Sequence, residues 1–228
     1  MTGMTARSTA SAARIVAVLA ITAFCLFSFG KVALAQGTEG PEGYISANVQ
    51  KGLTILNDRN IPDMQRRYEF RDFLTSLTDI RRIAIFTLGP ARRTATPEQI
   101  DAFVNAFRNY AVAVYESRLK AYSGQTLRVI GATEHGPGDY IVRTQLIDPT
   151  GRTEQQGEPI EVDFRVDGTA GHYVVIDAAI AGVWLALEER DQFTAFLEEN
   201  NGNLNALIAH LDALTTRLRA GGPTTPTH

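Results

Sequence analysis

Residues 125–180 constrain the fold of this chain more strongly than any other stretch. Short segments rich in valine, isoleucine and tyrosine alternate there with clusters of glycine, proline and aspartate. Glycine and proline supply the backbone angles of tight turns, so the pattern predicts strands at 126–130, 140–147, 160–166 and 173–180, with turns at 135–138, 148–151 and 167–171. Such connections are too short for crossover helices, so we expect an antiparallel meander.

The third predicted strand shows which face of this sheet is apolar. Its residues alternate strictly between apolar and charged side chains, with Ile160, Val162, Phe164 and Val166 on one side and Glu161, Asp163, Arg165 and Asp167 on the other. In the second strand, Val142 and Leu146 share the apolar side with Thr144. One face therefore has to be covered, and the remainder of the chain offers helices to cover it.

Helical patterns flank the sheet segment on both sides. Before it we expect helices at 45–57, from a cap at Asp63 to about 77, from Asp79 to about 88, and from a capping box formed by Thr96, Pro97 and Gln99 to a stop at Gly124. After it we expect one helix that contains residues 184–197 and another that starts at an Asn203 cap and runs to about 218.

These elements predict a single α+β domain at 44–220, with a four-stranded curved antiparallel sheet covered by helices. A glycine-rich lead-in is expected at 36–43 and a disordered tail at 221–228. No internal repeat and no linker long enough to divide the domain is present in the sequence.

The first 35 residues have the pattern of a cleaved signal peptide. Arg7 and Arg14 precede an apolar run at 15–29, and the small-x-small triplet 33–35 follows. We expect cleavage after Ala35 and export of the remainder; an uncleaved N-terminal anchor is the alternative. The single cysteine, Cys25, lies in this segment, so the exported part has no thiol for disulfides or nucleophilic chemistry.

Charge and motifs argue against several classes of function. The formal net charge is −3, and loss of the basic N-terminal segment makes the exported part more acidic, so we expect no nucleic-acid partner. There is no Gly-x-Ser-x-Gly motif, and the histidines are too scattered to indicate a metal site: His135, His172, His210 and His228. We expect His135 and His172 in turns, and a pocket on the apolar face would be nearly uncharged.

A set of short motifs resembles the MlaC (toluene-tolerance) family of periplasmic lipid-binding proteins, and the likeness covers residues 45–218. The motifs occur in the family's order: Asp79-Ile80-x-x-Ile83, Thr87-Leu88-Gly89, Arg92 to Gln99, Phe103, Phe107, Tyr115, Tyr122 to Gln125, Asp148-Pro149-x-Gly151, Asp177 with Gly182-Val183, and Arg190-x-x-Phe193. Two positions depart from the family pattern: Arg92 stands where members usually carry tryptophan, and Trp184 where they carry serine. The hopanoid-associated branch is similar as well.

The resemblance implies a non-catalytic, monomeric carrier of phospholipid in the periplasm of a Gram-negative cell. Its partners would be an inner-membrane ABC transporter complex and an outer-membrane lipoprotein complex, with phospholipid as cargo and neither cofactor nor metal. In the family fold, acyl chains lie between the sheet and the helices. The side chains then expected to bind lipid are Ile83, Phe103, Phe107, Val129, Val142, Leu146, Val162, Phe164, Val175 and Val183.

Two other functions remain open at this point. Curved sheets under helices also form isomerases that place an aspartate in an apolar cavity, and Asp177 is the candidate for that role. We favour a structural role for Asp177, as an acceptor for backbone amides. The other possibility is an interaction module whose core is filled and which binds only proteins.

Overall fold

The computed structural model describes residues 40–119, 122, 124–149 and 159–221. The predicted signal peptide, residues 36–39 of the lead-in, residues 150–151 of a predicted turn and residues 222–228 of the tail lie outside them. The described part contains six α-helices, which we call α1 to α6: Pro41–Asn57, Asp63–Leu77, Ile80–Thr87, Pro97–Leu119, Leu185–Glu199 and Leu204–Arg219. A 3₁₀ helix, Gly89–Arg93, joins α3 to α4. None of the described helices is both long enough and apolar enough to cross a membrane.

The sheet is antiparallel throughout and its strands follow chain order, β1 to β5: Thr126–Gly136, Asp139–Ile147, Glu161–Thr169, His172–Ile180 and Val183–Trp184. The α+β meander is confirmed, but the prediction of four strands is wrong by one. The fifth strand has only two residues, which is too short for an alternating pattern to be visible in the sequence.

Two hairpins are longer than predicted. β1 continues to Gly136 because a bulge at Ile130 interrupts its alternation without ending its pairing with β2, so His135 lies in a strand rather than a turn. β3 continues through Gly168, which has a φ of +132°, and a Cβ there would lie 2.1 Å from the carbonyl oxygen of His172. His172 therefore begins β4 instead of lying in a turn.

Local capping signals fix several helix starts. The backbone N–H of Gln99 donates to Thr96 Oγ1 at 3.2 Å and the N–H of Thr96 donates to Gln99 Oε1 at 3.0 Å, which confirms the capping box. Asn203 and Asp79 also cap their helices. Asp63 does not, since Pro62 is at the cap position and Asp63 pairs instead with an arginine one turn later.

Two other boundaries differ from the predictions. Trp184 precedes its helix and belongs to β5. Helix α1 starts at Pro41, within the predicted lead-in, because proline suits the first helical position and Glu42 faces the positive end of the helix dipole.

The apolar face of the sheet is divided between two covers. Register confirms the predicted face, with Val142 opposite Phe164 and Thr144 opposite Val162. Helix α1 lies on β1 and β2, and its Val49 packs against two clusters of buried sheet residues. Helices α3 to α6 bury a separate core among themselves, with Phe103, Phe193 and the leucines of α6. The helical core therefore does not press on the whole sheet, and space remains between the two layers.

Candidate functional site

An apolar cavity of about 190 Å³ lies between the helices and the β3–β4 part of the sheet. Its walls come from α2, α3, α4 and the start of α5, with the sheet as its floor. The residues that line it are Arg71, Leu74, Thr75, Leu77, Thr78, Ile80, Ile83, Phe107, Tyr110, Ala111, Val112, Val114, Tyr115, Phe164, Val175, Asp177, Ala178, Leu185, Ala186 and Glu189.

Four of the ten predicted lipid-binding residues line this cavity: Ile83, Phe107, Phe164 and Val175. They reach it from α3, α4, β3 and β4, so the structure brings together residues separated by as many as 92 positions in the sequence. Phe107 of the long helix and Phe164 of the sheet thus line the same cavity from different layers, and lipid binding by these side chains stays a prediction.

The other six predicted residues lie elsewhere. Val142, Leu146 and Val162 are almost fully buried in clusters of sheet residues against which α1 packs, because α1 covers that half of the apolar face. Phe103 is fully buried in the helical core, where it packs edge-to-face with Phe193 and the two ring centres lie 5.9 Å apart.

The last two of the six are nearer the surface. Val129 faces a different cleft, beside β1, and Val183 is 46% exposed on the edge strand β5. Position on the apolar face is therefore not enough to place a residue at the cavity.

The sequence prediction missed a large part of the wall. Leu74 and Leu77 of α2 line the cavity, as do Ala111 and Val114 of α4. Ala111 and Val114 follow Phe107 at helical spacing, so one stripe of α4 carries all three side chains to the same place. That spacing was the available signal, whereas nothing local shows that α2 faces the cavity.

The cavity is less neutral than expected, because two carboxyl groups reach it. Asp177 Oδ1 accepts hydrogen bonds from the N–H groups of Ala186 at 3.0 Å and Ala178 at 2.8 Å. Asp177 thus caps the first turn of α5 from the neighbouring strand, which confirms its predicted structural role. Burial raises the pKa of Asp177, and the two N–H bonds and Arg165 oppose that rise. The second carboxyl belongs to Glu189, whose Oε1 accepts from the Tyr110 hydroxyl at 3.2 Å.

A larger cleft of about 900 Å³ lies between the start of α1 and the edge strand β1. Glu42, Arg128 and Glu134 contribute charged side chains to it, and Glu42 Oε1 accepts from the backbone N–H of Ala132 at 2.6 Å. Hydrocarbon gains little from such a charged surface, so the smaller cavity is the better candidate for an apolar ligand despite its volume.

The volume of the apolar cavity limits what it holds in this conformation. Sites for drug-sized ligands measure about 300–1,000 Å³, whereas this cavity is about 190 Å³. A long acyl chain therefore requires the layers to move apart. Among the described residues, no group of three histidine, cysteine or carboxylate side chains is placed to bind a metal ion.

The comparisons agree with this architecture. The family model described as MlaC protein matches residues 46–213, which is most of the chain. Among solved structures, the chain is similar to a phospholipid-binding protein from Ralstonia solanacearum in complex with a phospholipid. The TM-score is 0.65 at 23% identity, and the match covers 78% of this chain and 98% of the other. The cavity between layers, the six helices on one antiparallel sheet and the family match lead to one conclusion: this chain belongs to the MlaC family.

Proposed function

We propose that this protein is a phospholipid carrier of the periplasm, the soluble component of an ABC transport system that moves lipid between the inner and outer membranes. The observation that carries the proposal is the apolar cavity between the helices α2 to α5 and the β3–β4 floor, where aliphatic and aromatic side chains from six elements converge. Family membership and the phospholipid-bound protein of similar fold support it.

The physical demands on a carrier fit this site. Each methylene transferred from water to an apolar site contributes about 0.8 kcal/mol, so an unshielded acyl chain does not cross water at a useful rate. An apolar cavity resembles the bilayer interior, which keeps loading and release close to balance. Little head-group recognition is then needed, since the head group can stay in water at the cavity mouth.

The proposed export and partners rest on the N-terminal pattern and on the family. A cleaved signal peptide would deliver the domain to the periplasm. Every helix and strand that the structure describes lies within 41–219, so a chain that begins at Gln36 retains all of them. An inner-membrane ABC transporter complex and an outer-membrane lipoprotein complex are the proposed sites of exchange.

The test is to purify the chain from Gln36 without detergent and to analyse an organic extract by mass spectrometry. We expect about one phospholipid per protein. A polycyclic lipid in its place would assign the protein to the hopanoid-associated branch. An extract without stoichiometric lipid, from protein that native mass spectrometry shows to be folded, would contradict the carrier function and favour a module that binds only proteins.

A further inference from the structure

One stripe of helix α2 combines exposed apolar and basic side chains and leads into the cavity. Met64, Arg67, Tyr68, Arg71 and Thr75 follow the spacing i, i+3, i+4, i+7 and i+11, so they share one face of the helix. We call these five residues the α2 stripe. Its last two members, Arg71 and Thr75, line the cavity, while the first three lie outside it.

The outer part of this stripe exposes large apolar side chains. Met64 is 66% exposed, the highest value among the large exposed apolar residues of the described chain, and Tyr68 is 47% exposed. The guanidinium carbon of Arg71 lies 4.9 Å from the centre of the Tyr68 ring. Tyrosine, methionine and arginine in this arrangement suit the boundary between lipid head groups and hydrocarbon.

Charge on α2 is distributed unevenly around the helix. The two arginines of the stripe share its face with Met64 and Tyr68. The acids Glu69 and Asp72 lie on a neighbouring face with Gln65. Glu69 accepts a hydrogen bond from Gln65, and Asp72 pairs with Arg71 at 2.7 Å. Arg67 is exposed, and its positive charge on the stripe complements an anionic surface.

From this geometry we propose that the α2 stripe docks on the surface of an anionic phospholipid bilayer and presents the cavity mouth to it. The proposal rests on the proposed carrier function. Docking beside either proposed exchange complex holds the cavity mouth at the bilayer surface, so that an acyl chain enters the cavity along apolar side chains without full exposure to water. Two exposed apolar side chains and two arginines, one of which is paired with Asp72, give weak and reversible binding, which a shuttle needs.

Vesicle binding tests the proposal on the chain from Gln36. Binding is measured by sedimentation with vesicles of phosphatidylcholine alone and with added phosphatidylglycerol. We expect preference for the anionic vesicles, and loss of binding in a Met64→Asp, Tyr68→Asp double variant. Leu187→Asp is the matched control, since Leu187 is 44% exposed but lies on α5, and this variant should bind the anionic vesicles as the wild type does. Arg67→Gln should weaken binding to anionic vesicles about five-fold, and Arg93→Gln should not.

A fluorescence measurement reports directly whether position 64 enters the bilayer. The chain from Gln36 has no cysteine, so Met64→Cys and Leu187→Cys each take a single polarity-sensitive dye. We expect a blue shift on vesicles at position 64 only. No binding by the wild type, equal binding by the double variant, or an equal shift at position 187 would overturn the proposal. Extracted lipid is counted separately, so failure of the carrier function appears as wild-type protein without lipid, whatever the vesicle result.

Discussion

Ala111→Phe tests whether acyl chains occupy the cavity between the layers. Ala111 lines the cavity from the middle of α4, so the new phenyl ring enters the empty space. At roughly 30 Å³ for a water-sized group, a cavity of about 190 Å³ holds about six such groups. An apolar cavity of about 150 Å³ is known to hold a benzene molecule, so the added phenyl ring takes up most of the usable space in this one.

The expected effect follows from the lipid that the ring displaces. Six methylenes at about 0.8 kcal/mol each amount to about 5 kcal/mol of burial, which corresponds to more than a thousand-fold in affinity. This is an upper limit, because movement of α2 enlarges the site. We expect at least a ten-fold loss of co-purified phospholipid per protein, with a melting temperature at or above that of wild-type protein from which the lipid has been removed.

Two matched variants make the result specific. Ala102→Phe makes the same change at an exposed position of α4 and shares its small cost in helix propensity, so it should keep its lipid. Ala47→Phe places the ring in the larger cleft beside β1. Normal lipid content in a folded Ala111→Phe protein, together with loss in Ala47→Phe, would refute the reasoning and put the acyl chains in that cleft.

Three further outcomes are expected. Asp177→Ala removes the cap of α5 and should lower the unfolding free energy by about 1 kcal/mol in denaturant titrations. Asp177→Asn keeps an acceptor and should change neither stability nor lipid content by much. Loss of turnover of a small molecule in Asp177→Asn would favour an enzyme. Gly52→Leu forces α1 away from α2, because even an added Cβ would lie 2.9 Å from the Phe73 side chain. The overpacking should lower the unfolding free energy by about 1–3 kcal/mol. Unchanged stability would mean that the two helices separate freely. Hydrogen bonds from Arg165 hold the pKa of Asp139 below its usual value. The stabilisation from this pair is therefore present above the unfolded pKa of about 4 and is lost as the pH falls below it. Asp139→Asn should flatten the acid side of a plot of stability against pH, and an unaltered plot would count against the pair.

The sequence was sufficient wherever the structural signal is local. Strict alternation in β3 identified the apolar face because successive side chains of a strand point to opposite sides, whatever surrounds them. The hydrogen bonds of the α4 capping box and of the Asn203 cap join residues that are three positions apart. Both partners of each bond therefore lie within one short stretch of the sequence. Phe107, Phe164 and their faces followed from these rules.

Tertiary structure alone decided which part of the apolar face is filled and which is open. Val162 and Phe164 are both apolar and lie on the same face of β3, yet Val162 is fully buried in a core cluster, whereas Phe164 packs against that cluster and also lines the cavity. The difference depends on where α1 docks, and that docking places Ile45 in one buried cluster with Val142, 97 positions away in the sequence. Likewise, Asp177 caps a helix that starts after a separate strand. Packing between distant segments is a property of the assembled layers, so no window of the sequence contains it.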